Sequence, residues 1–305
     1  MKELDKSYFW NKEVIDLFTE RNISISNIDC IVKGKCNEQS FKLDTNQGKY
    51  FVKFSNSKRF SKTFLSALEI ANGKIGNIIQ LPIATYDLKE LNRQINIYNW
   101  IEGTNLKEIL KTCCDDECIY YGNRCGKLMR KIHFSLTELN GLQYCIVSRL
   151  KKYYKRIDML GFKFEYEFDY RKYLENNLDI LVRDINPCFI HLDFKPKNLM
   201  INKNKIYVVD IDSSMLGDPW LDFYDKAFSL YPSKELFNAA LIKSYFDGDV
   251  PELFWRYFRV LSVFALIQNT AWILPKKDYT YIKNLESYLW NAYDGFKELI
   301  HRWYC

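Results

Sequence analysis

Two neighbouring stretches hold the residues best suited to chemistry: His191-Leu-Asp-Phe-Lys-Pro-Lys-Asn198 and Val208-Val-Asp-Ile-Asp212. An aspartate followed five residues later by an asparagine can serve phosphoryl transfer from one tight loop. Such a transfer needs a carboxylate to receive or orient the proton of an attacking hydroxyl. It also needs hard oxygen ligands for a metal that neutralises phosphate charge. Asp193 suits the first task. Asn198 suits the second through its amide oxygen, and Asp210, directly after the apolar run Ile206–Val209, would complete the metal site. Asp212 could also approach the metal, although a capping or hydrogen-bonding role is expected of it.

The pattern His-x-Asp-x-x-x-x-Asn with a following Val-Asp hairpin resembles the catalytic signature of the protein-kinase-like superfamily. Gly217-Asp-Pro-Trp-Leu-Asp222 narrows the resemblance to the aminoglycoside phosphotransferase and choline kinase branch, closest to uncharacterised bacterial phosphotransferases. Tyr245-Phe-Asp-Gly248 and the aromatic-rich helix after it resemble the same group, so the likeness covers most of the chain. It implies a catalytic base at Asp193, metal ligands at Asn198 and Asp210, and a bracing role for His191 and Asp222. It implies ATP, with GTP as the alternative, and Mg2+. Within Tyr50-Phe-Val-Lys53, Lys53 would grip the α- and β-phosphates, with Glu69 as its partner. Gly34-Lys-Cys-Asn-Glu-Gln-Ser40 stands where a phosphate-covering loop belongs, reduced to Gly34 with Asn37 and Ser40 as polar replacements. Adenine would bond to the backbone between Trp100 and Glu102. Two residues depart from the family pattern. Leu192 stands where glycine is usual, and Lys195 resembles the catalytic-loop lysine of protein kinases that touches the γ-phosphate. Lys195 is therefore counted with Asp193 as catalytic.

The elements that must position these residues can be read from periodicity. Residues 1–30 suggest a helix leading into a strand. The strand-like segments Cys30–Leu43 and Lys49–Phe54, with Asn46, Gln47 and Gly48 between them, signal a hairpin. Ser61 can cap a helix with Phe64, Leu65, Leu68 and Ala71 on one face, and Gly73 would end it. Ile78–Tyr86 and Arg93–Ile101 are strand-like. After Gly103 helical periods dominate, at Leu106–Thr112, Tyr120–His133, Ile146–Tyr154 and Tyr170–Leu181, with a β-rich island near 189–212 and helices from Leu221 onward. An α+β, two-lobed protein-kinase-like fold is expected: a β-rich N-lobe over 1–98, a hinge at 99–103 and a mainly helical C-lobe over 104–305.

Composition sets the bounds. The chain has 305 residues, 48% of them apolar and 27% charged, as in an ordinary globular protein. Nine cysteines at irregular spacing and an N-terminus without an apolar signal core suggest a reduced, cytoplasmic setting. Cys113, Cys114 and Cys118 cluster, but no second Cys-x-x-Cys or paired histidine accompanies them. The longest apolar run, near Val260–Ile267, is too short to span a bilayer. A net charge of +6 without a dense basic, aromatic-interleaved stretch disfavours nucleic acid. A monomer or weak dimer is expected. No Asp-Phe-Gly or Ala-Pro-Glu follows Asp210, which argues against a protein kinase.

The partner is then a small-molecule hydroxyl substrate. An aminoglycoside or related aminated sugar is the first expectation, with a choline- or amino-sugar-type metabolic kinase as the alternative. A catalytically inactive kinase-like binding protein is the further alternative, opposed by the intact Lys53, Asp193, Asn198 and Asp210. A polycationic acceptor calls for an acid-lined cleft. Glu165, Glu167, Asp169, Asp218, Asp222 and Asp225 are the candidates, although +6 weighs the other way.

Overall fold

The computed structural model describes residues 14–33, 39–55, 61–88, 93–137, 139, 141, 143–166, 168–228 and 232–304. The chain divides into two compact units, Met1–Lys62 with Gln80–Glu102 and Thr63–Ile79 with Gly103–Cys305.

The first unit is an antiparallel sheet with one described helix, α1 (residues 14–19). Its strands are β1 (Ile25–Lys33), β2 (Gln39–Thr45), β3 (Gly48–Ser55), β4 (Ala84–Leu88) and β5 (Arg93–Asn99), in the order β1-β2-β3-β5-β4. The stretch expected as one strand over Cys30–Leu43 is divided between β1 and β2. The hairpin expected around Asn46 is present, with Thr45 facing Gly48. Because side chains alternate across a strand, Phe41, Leu43, Val52, Phe54, Ile95 and Ile97 share one face. They form the unit's core with Val14 and Phe18 of α1. The opposite face carries Ser40, Lys53 and Asn96 in cross-strand register, all buried.

The second unit takes nearly all of helix α2 (Lys62–Lys74), which the sequence pattern had grouped with the sheet. Polar contacts account for its placement. Buried Asn72 donates to the Ile79 carbonyl at 2.8 Å and accepts from the Ile79 N–H at 3.0 Å. Ile79 bridges to Val208, and Lys131 donates to the Ile75 carbonyl. The helix runs past Gly73, and the turn after it uses Gly76 at φ +91°.

After β6 (Thr104–Asn105) come α3 (Leu106–Ile109), α4 (Asp115–Ser135), α5 (Ile146–Met159), α6 (Tyr170–Asn176) and α7 (Leu178–Leu181). The small strands β7 (Cys188–Ile190), β8 (Leu199–Asn202), β9 (Lys205–Val208) and β10 (Met215–Gly217) form the β-rich island. A 3-10 segment, Pro219–Ala227, precedes α8 (Pro232–Tyr245), α9 (Glu252–Ile273) and α10 (Tyr279–Ala292). The helix from Glu252 to Lys276 is apolar and long enough, by length and composition, to cross a membrane. Its longest unbroken apolar run, near Val260–Ile267, is by itself too short to do so. Most of α9 is buried inside the unit, including Phe254, Phe258, Phe264 and Ile267.

Candidate active site

The loop from His191 to Asn198 leaves β7, which pairs antiparallel with β10, and enters β8, the central strand of the sheet β6-β8-β9. Its shape is set by short-range backbone bonds. Lys195 N–H donates to the Asp193 carbonyl at 2.9 Å, and Asn198 N–H to the Lys195 carbonyl at 2.8 Å. Pro196 opens the one-turn 3-10 segment that ends at Asn198, where its fixed φ fits and its missing N–H costs nothing.

Three buried polar groups hold this loop. The Asp222 carboxylate accepts from the N–H groups of His191 (2.9 Å) and Leu192 (2.5 Å) and lies 3.0 Å from His133 Nε2. Burial raises the pKa of Asp222, but the His133 hydrogen bond and the neighbouring histidines outweigh burial and keep it below the ordinary value. The His191 ring takes the Asp193 N–H at Nδ1 (3.2 Å), which assigns its proton to Nε2, donating to the Val209 carbonyl at 3.0 Å. Lys226, buried, donates to the Phe194 carbonyl and pairs with Asp225 at 2.6 Å. His191 and Asp222 thus brace the loop, as their positions in the motif suggested.

Asp193 is largely buried, its side chain 16% exposed. Its carboxylate meets the Lys195 ammonium at Oδ1, and at Oδ2 the Lys197 ammonium (3.0 Å) and the Asn198 amide (2.7 Å). Burial raises its pKa, but the two lysines outweigh burial and hold it below the ordinary aspartate value. Asp193 is therefore ionised at neutral pH, as a proton acceptor must be. Lys195 is lowered by burial and raised more by Asp193, with further help from Asp225 and Asp210.

Asn198 donates both to the Asp193 carbonyl (2.9 Å) and to its carboxylate, and its amide oxygen accepts no hydrogen bond from the described residues. Asp210, two residues past the end of β9, has left-handed geometry, φ 62° and ψ 60°, which aspartate tolerates better than most residues. The described residues contain no group of three His, Cys, Asp or Glu able to hold a metal. Cys113 and Cys118 lie Sγ to Sγ at 2.7 Å, and Cys114 is the N-cap residue of α4.

The first unit holds the other expected residues. Lys53 and Ser40 face each other across β3 and β2, both buried. The Trp100 N–H donates to the Lys49 carbonyl, and Glu102 forms an exposed ion pair with Lys49 at 2.8 Å. Gly34 and Asn37 lie outside the described residues. Glu69 is exposed on α2, in the second unit, and makes no ion pair among the described residues.

Most of the six acids considered for a cation-binding cleft are engaged elsewhere. Asp218 holds Arg183 through two bonds of 2.8 and 2.6 Å, Asp169 caps α6, and Glu165 pairs with Lys283. Asp222 braces the loop, Asp225 pairs with Lys226, and Glu167 lies outside the described residues. The 162–170 stretch packs through its rings, with Phe168 stacked on Phe296 and Tyr166 on Trp290.

Three residues escaped the sequence reading. Lys197 had a signal, its i+4 spacing from Asp193. Lys226 and His133 had none, because each acts on a chain segment far away in sequence.

A family profile described as the phosphotransferase enzyme family matches residues 31–254. The chain belongs to that family. As a member it is a phosphotransferase, and its α+β fold is the protein-kinase-like fold of aminoglycoside phosphotransferases and choline kinases of solved structure. Among solved structures, a spectinomycin phosphotransferase crystallised with ADP and spectinomycin is 15% identical, with 94% of this chain and 93% of that one covered and a TM-score of 0.60. The GDP complex of an aminoglycoside 2'-phosphotransferase is 14% identical over 96% and 99%, TM-score 0.64. A choline kinase from Streptococcus pneumoniae is 16% identical over 95% and 99%, TM-score 0.55. No curated protein matches this phosphotransferase in sequence.

Proposed function

We propose that this phosphotransferase moves the γ-phosphate of ATP, or of GTP, to a hydroxyl of a small molecule, with Asp193 receiving the hydroxyl's proton. The observation that carries the reading is a buried carboxylate kept ionised and oriented by Lys195, Lys197 and Asn198. A nucleotide donor is supported by the ADP and GDP held in structures of the same fold. Asn198 and Asp210 suit Mg2+. The Asn198 NH2 is committed to Asp193, which leaves its oxygen for a hard cation, and two protein oxygens suffice where phosphates and waters supply the rest. Bound there, magnesium would neutralise phosphate charge.

The chain's own groups would do the remaining work. Asp222 and His191 fix the backbone on either side of the base, and Lys195 would meet the γ-phosphate oxygens. In the first unit we propose Lys53 for the α- and β-phosphates, with Ser40 beside it, and the backbone from Trp100 to Glu102 for the adenine. Glu69, exposed and without an ionic partner among the described residues, receives no role.

An aminoglycoside or aminated sugar and a choline-type alcohol remain the acceptors suggested by the family. Both carry a cationic nitrogen. With the nearby acids engaged, the reading best supported is the coarser one, a small-molecule hydroxyl.

The test is Mg-nucleotide-dependent thermal stabilisation followed by ADP release across aminoglycosides, choline, sugars and sugar acids. Asp193→Ala is expected to cut turnover about 10²–10⁴-fold while keeping the nucleotide-induced shift. Asp210→Ala should weaken the metal-dependent part of that shift, and Lys195→Ala should slow turnover. No stabilisation by either nucleotide would favour an inactive binding protein instead.

A further inference from the structure

If Asp193 receives the acceptor's proton, as proposed above, then whatever is bonded close to that hydroxyl must lie against the groups that touch the carboxylate. Two of those groups are ammoniums. Lys197 is the more exposed, with 48% of its side chain accessible against 35% for Lys195. Its backbone is pinned: Pro196 precedes it, and its carbonyl accepts from Asn105 Nδ2 at 2.6 Å. The Lys197 side chain therefore moves about a fixed base, and its ammonium lies 3.0 Å from Oδ2 of Asp193.

Lys195 is offset by Asp193, Asp225 and Asp210, whereas the acid paired with Lys197 among the described residues is Asp193 alone. Asp222 is filled by two backbone N–H groups and His133, Asp218 by Arg183, and Asp225 by Lys226. An acceptor with an amine beside its reacting hydroxyl would bring a second ammonium against Lys197. It would also break the Lys197–Asp193 pair without replacing it. An acceptor with an anion there would exchange that pair for a new one and free an oxygen of the base.

We propose that Lys197 selects the acceptor, and that the acceptor carries an anionic group, a carboxylate or a phosphate, beside the hydroxyl that is phosphorylated. Lys197 acts here as a specificity-determining residue. Asp193 remains the proton acceptor and Lys195 the contact to the transferred phosphate.

Matched sets test this with the full chain. Glycerol, 1-amino-2,3-propanediol, glycerate and glycerol 3-phosphate form one set; glucose, glucosamine, glucuronate and glucose 6-phosphate form another. ADP release with Mg-ATP is measured for each. In parallel, acetylation of Lys197 by an amine-reactive ester is followed by mass spectrometry with each compound and Mg-ADP. Carboxylate or phosphate members, and not the amines, should release ADP and protect Lys197, and comparing those two members identifies the anion. Lys197→Met should raise KM for an active anionic acceptor about 10–100-fold, the range for losing a hydrogen bond to a charge, with a smaller change in kcat. Lys197→Arg should restore most of it.

Release of ADP by an amine or neutral member in preference to the anions would overturn the proposal and leave the phosphotransferase reading intact. Protection of Lys197 by anions without ADP release from any member would count against the phosphotransferase reading and leave Lys197 only as an anion contact. Neither protection nor release by any anionic compound would also overturn the proposal.

Discussion

Asp222 fixes the backbone beside Asp193 without touching its carboxylate. It is 1% exposed, yet it accepts hydrogen bonds from two consecutive loop N–H groups and lies in hydrogen-bond range of His133, whose other ring nitrogen meets the Tyr245 hydroxyl at 2.9 Å. Replacing it by asparagine keeps the size but turns an NH2 toward a set of donors. Asp222→Asn should cost on the order of 3 kcal/mol in urea unfolding, the scale for breaking a buried ionic network, and should lower turnover. A variant with wild-type stability and rate would show the brace to be dispensable. The same carboxylate helps explain Leu192. That residue sits at φ 58°, a conformation costing a side-chain-bearing residue about 1–2 kcal/mol. Burial of its side chain, worth about 1.5–3 kcal/mol, and the bond from its N–H to Asp222 offset that cost, so leucine can hold this left-handed position. The motif spacing made Asp193, Asn198, Asp210 and Asp222 readable in sequence. His133 was not, because an isolated histidine in a helix gives no sign of which loop its ring will meet.

Helix α4 lies against α8 through two glycines one turn apart. A Cβ at Gly122 would overlap the Phe237 carbonyl, and one at Gly126 the Leu241 carbonyl. The obstacles are backbone atoms, so neither can be relieved by a rotamer change. Gly126→Ala should destabilise the protein by about 1–3 kcal/mol, despite the better helix propensity of alanine. Equal or higher urea resistance would show that the helices can separate at no cost. Ser244 Oγ also donates to the Asn123 carbonyl, tying α8 to α4, and α4 carries both His133 and Lys131. Local pattern revealed the hairpin β2–β3 and the existence of α4 and α5, because alternation and helical period act within one element. It missed the grouping of α2, which rests on Asn72 and Lys131 reaching carbonyls elsewhere in the chain. It also missed the split of the Tyr170–Leu181 helix into α6 and α7 around Asn177, which is the C-cap residue of one and the N-cap residue of the other.

At the scale of the molecule, acid stability turns on a histidine remote in sequence from the His191–Asn198 loop. His301 is fully buried among Phe258, Tyr288, Tyr293 and Trp303, with Nε2 donating to the Ala227 carbonyl at 3.2 Å and no hydrogen bond at Nδ1. Burial is the main reason its pKa falls to about 3 from the ordinary 6.5. The folded value lies below the unfolded one, so the unfolded chain takes up a proton from pH 6.5 downward while the folded chain does not. Stability therefore falls as pH drops from 6.5 toward 3, by about 1.4 kcal/mol per unit. Asp193 and Asp222 have depressed folded values, and their contribution is lost only as pH falls below the unfolded aspartate value of about 3.9. Glu286, fully buried and raised mainly by burial, works in the opposite sense, favouring the folded state as it protonates. The comparison of wild type with His301→Phe isolates the histidine from both. The variant gives up one hydrogen bond, about 1 kcal/mol, at every pH. Between pH 6.5 and 4.5 it should lose about 2 kcal/mol less than the wild type in urea unfolding. Parallel pH profiles for the two proteins would mean that the ring becomes protonated within the fold, and that the 3-10 segment ending at Ala227 opens to let it do so.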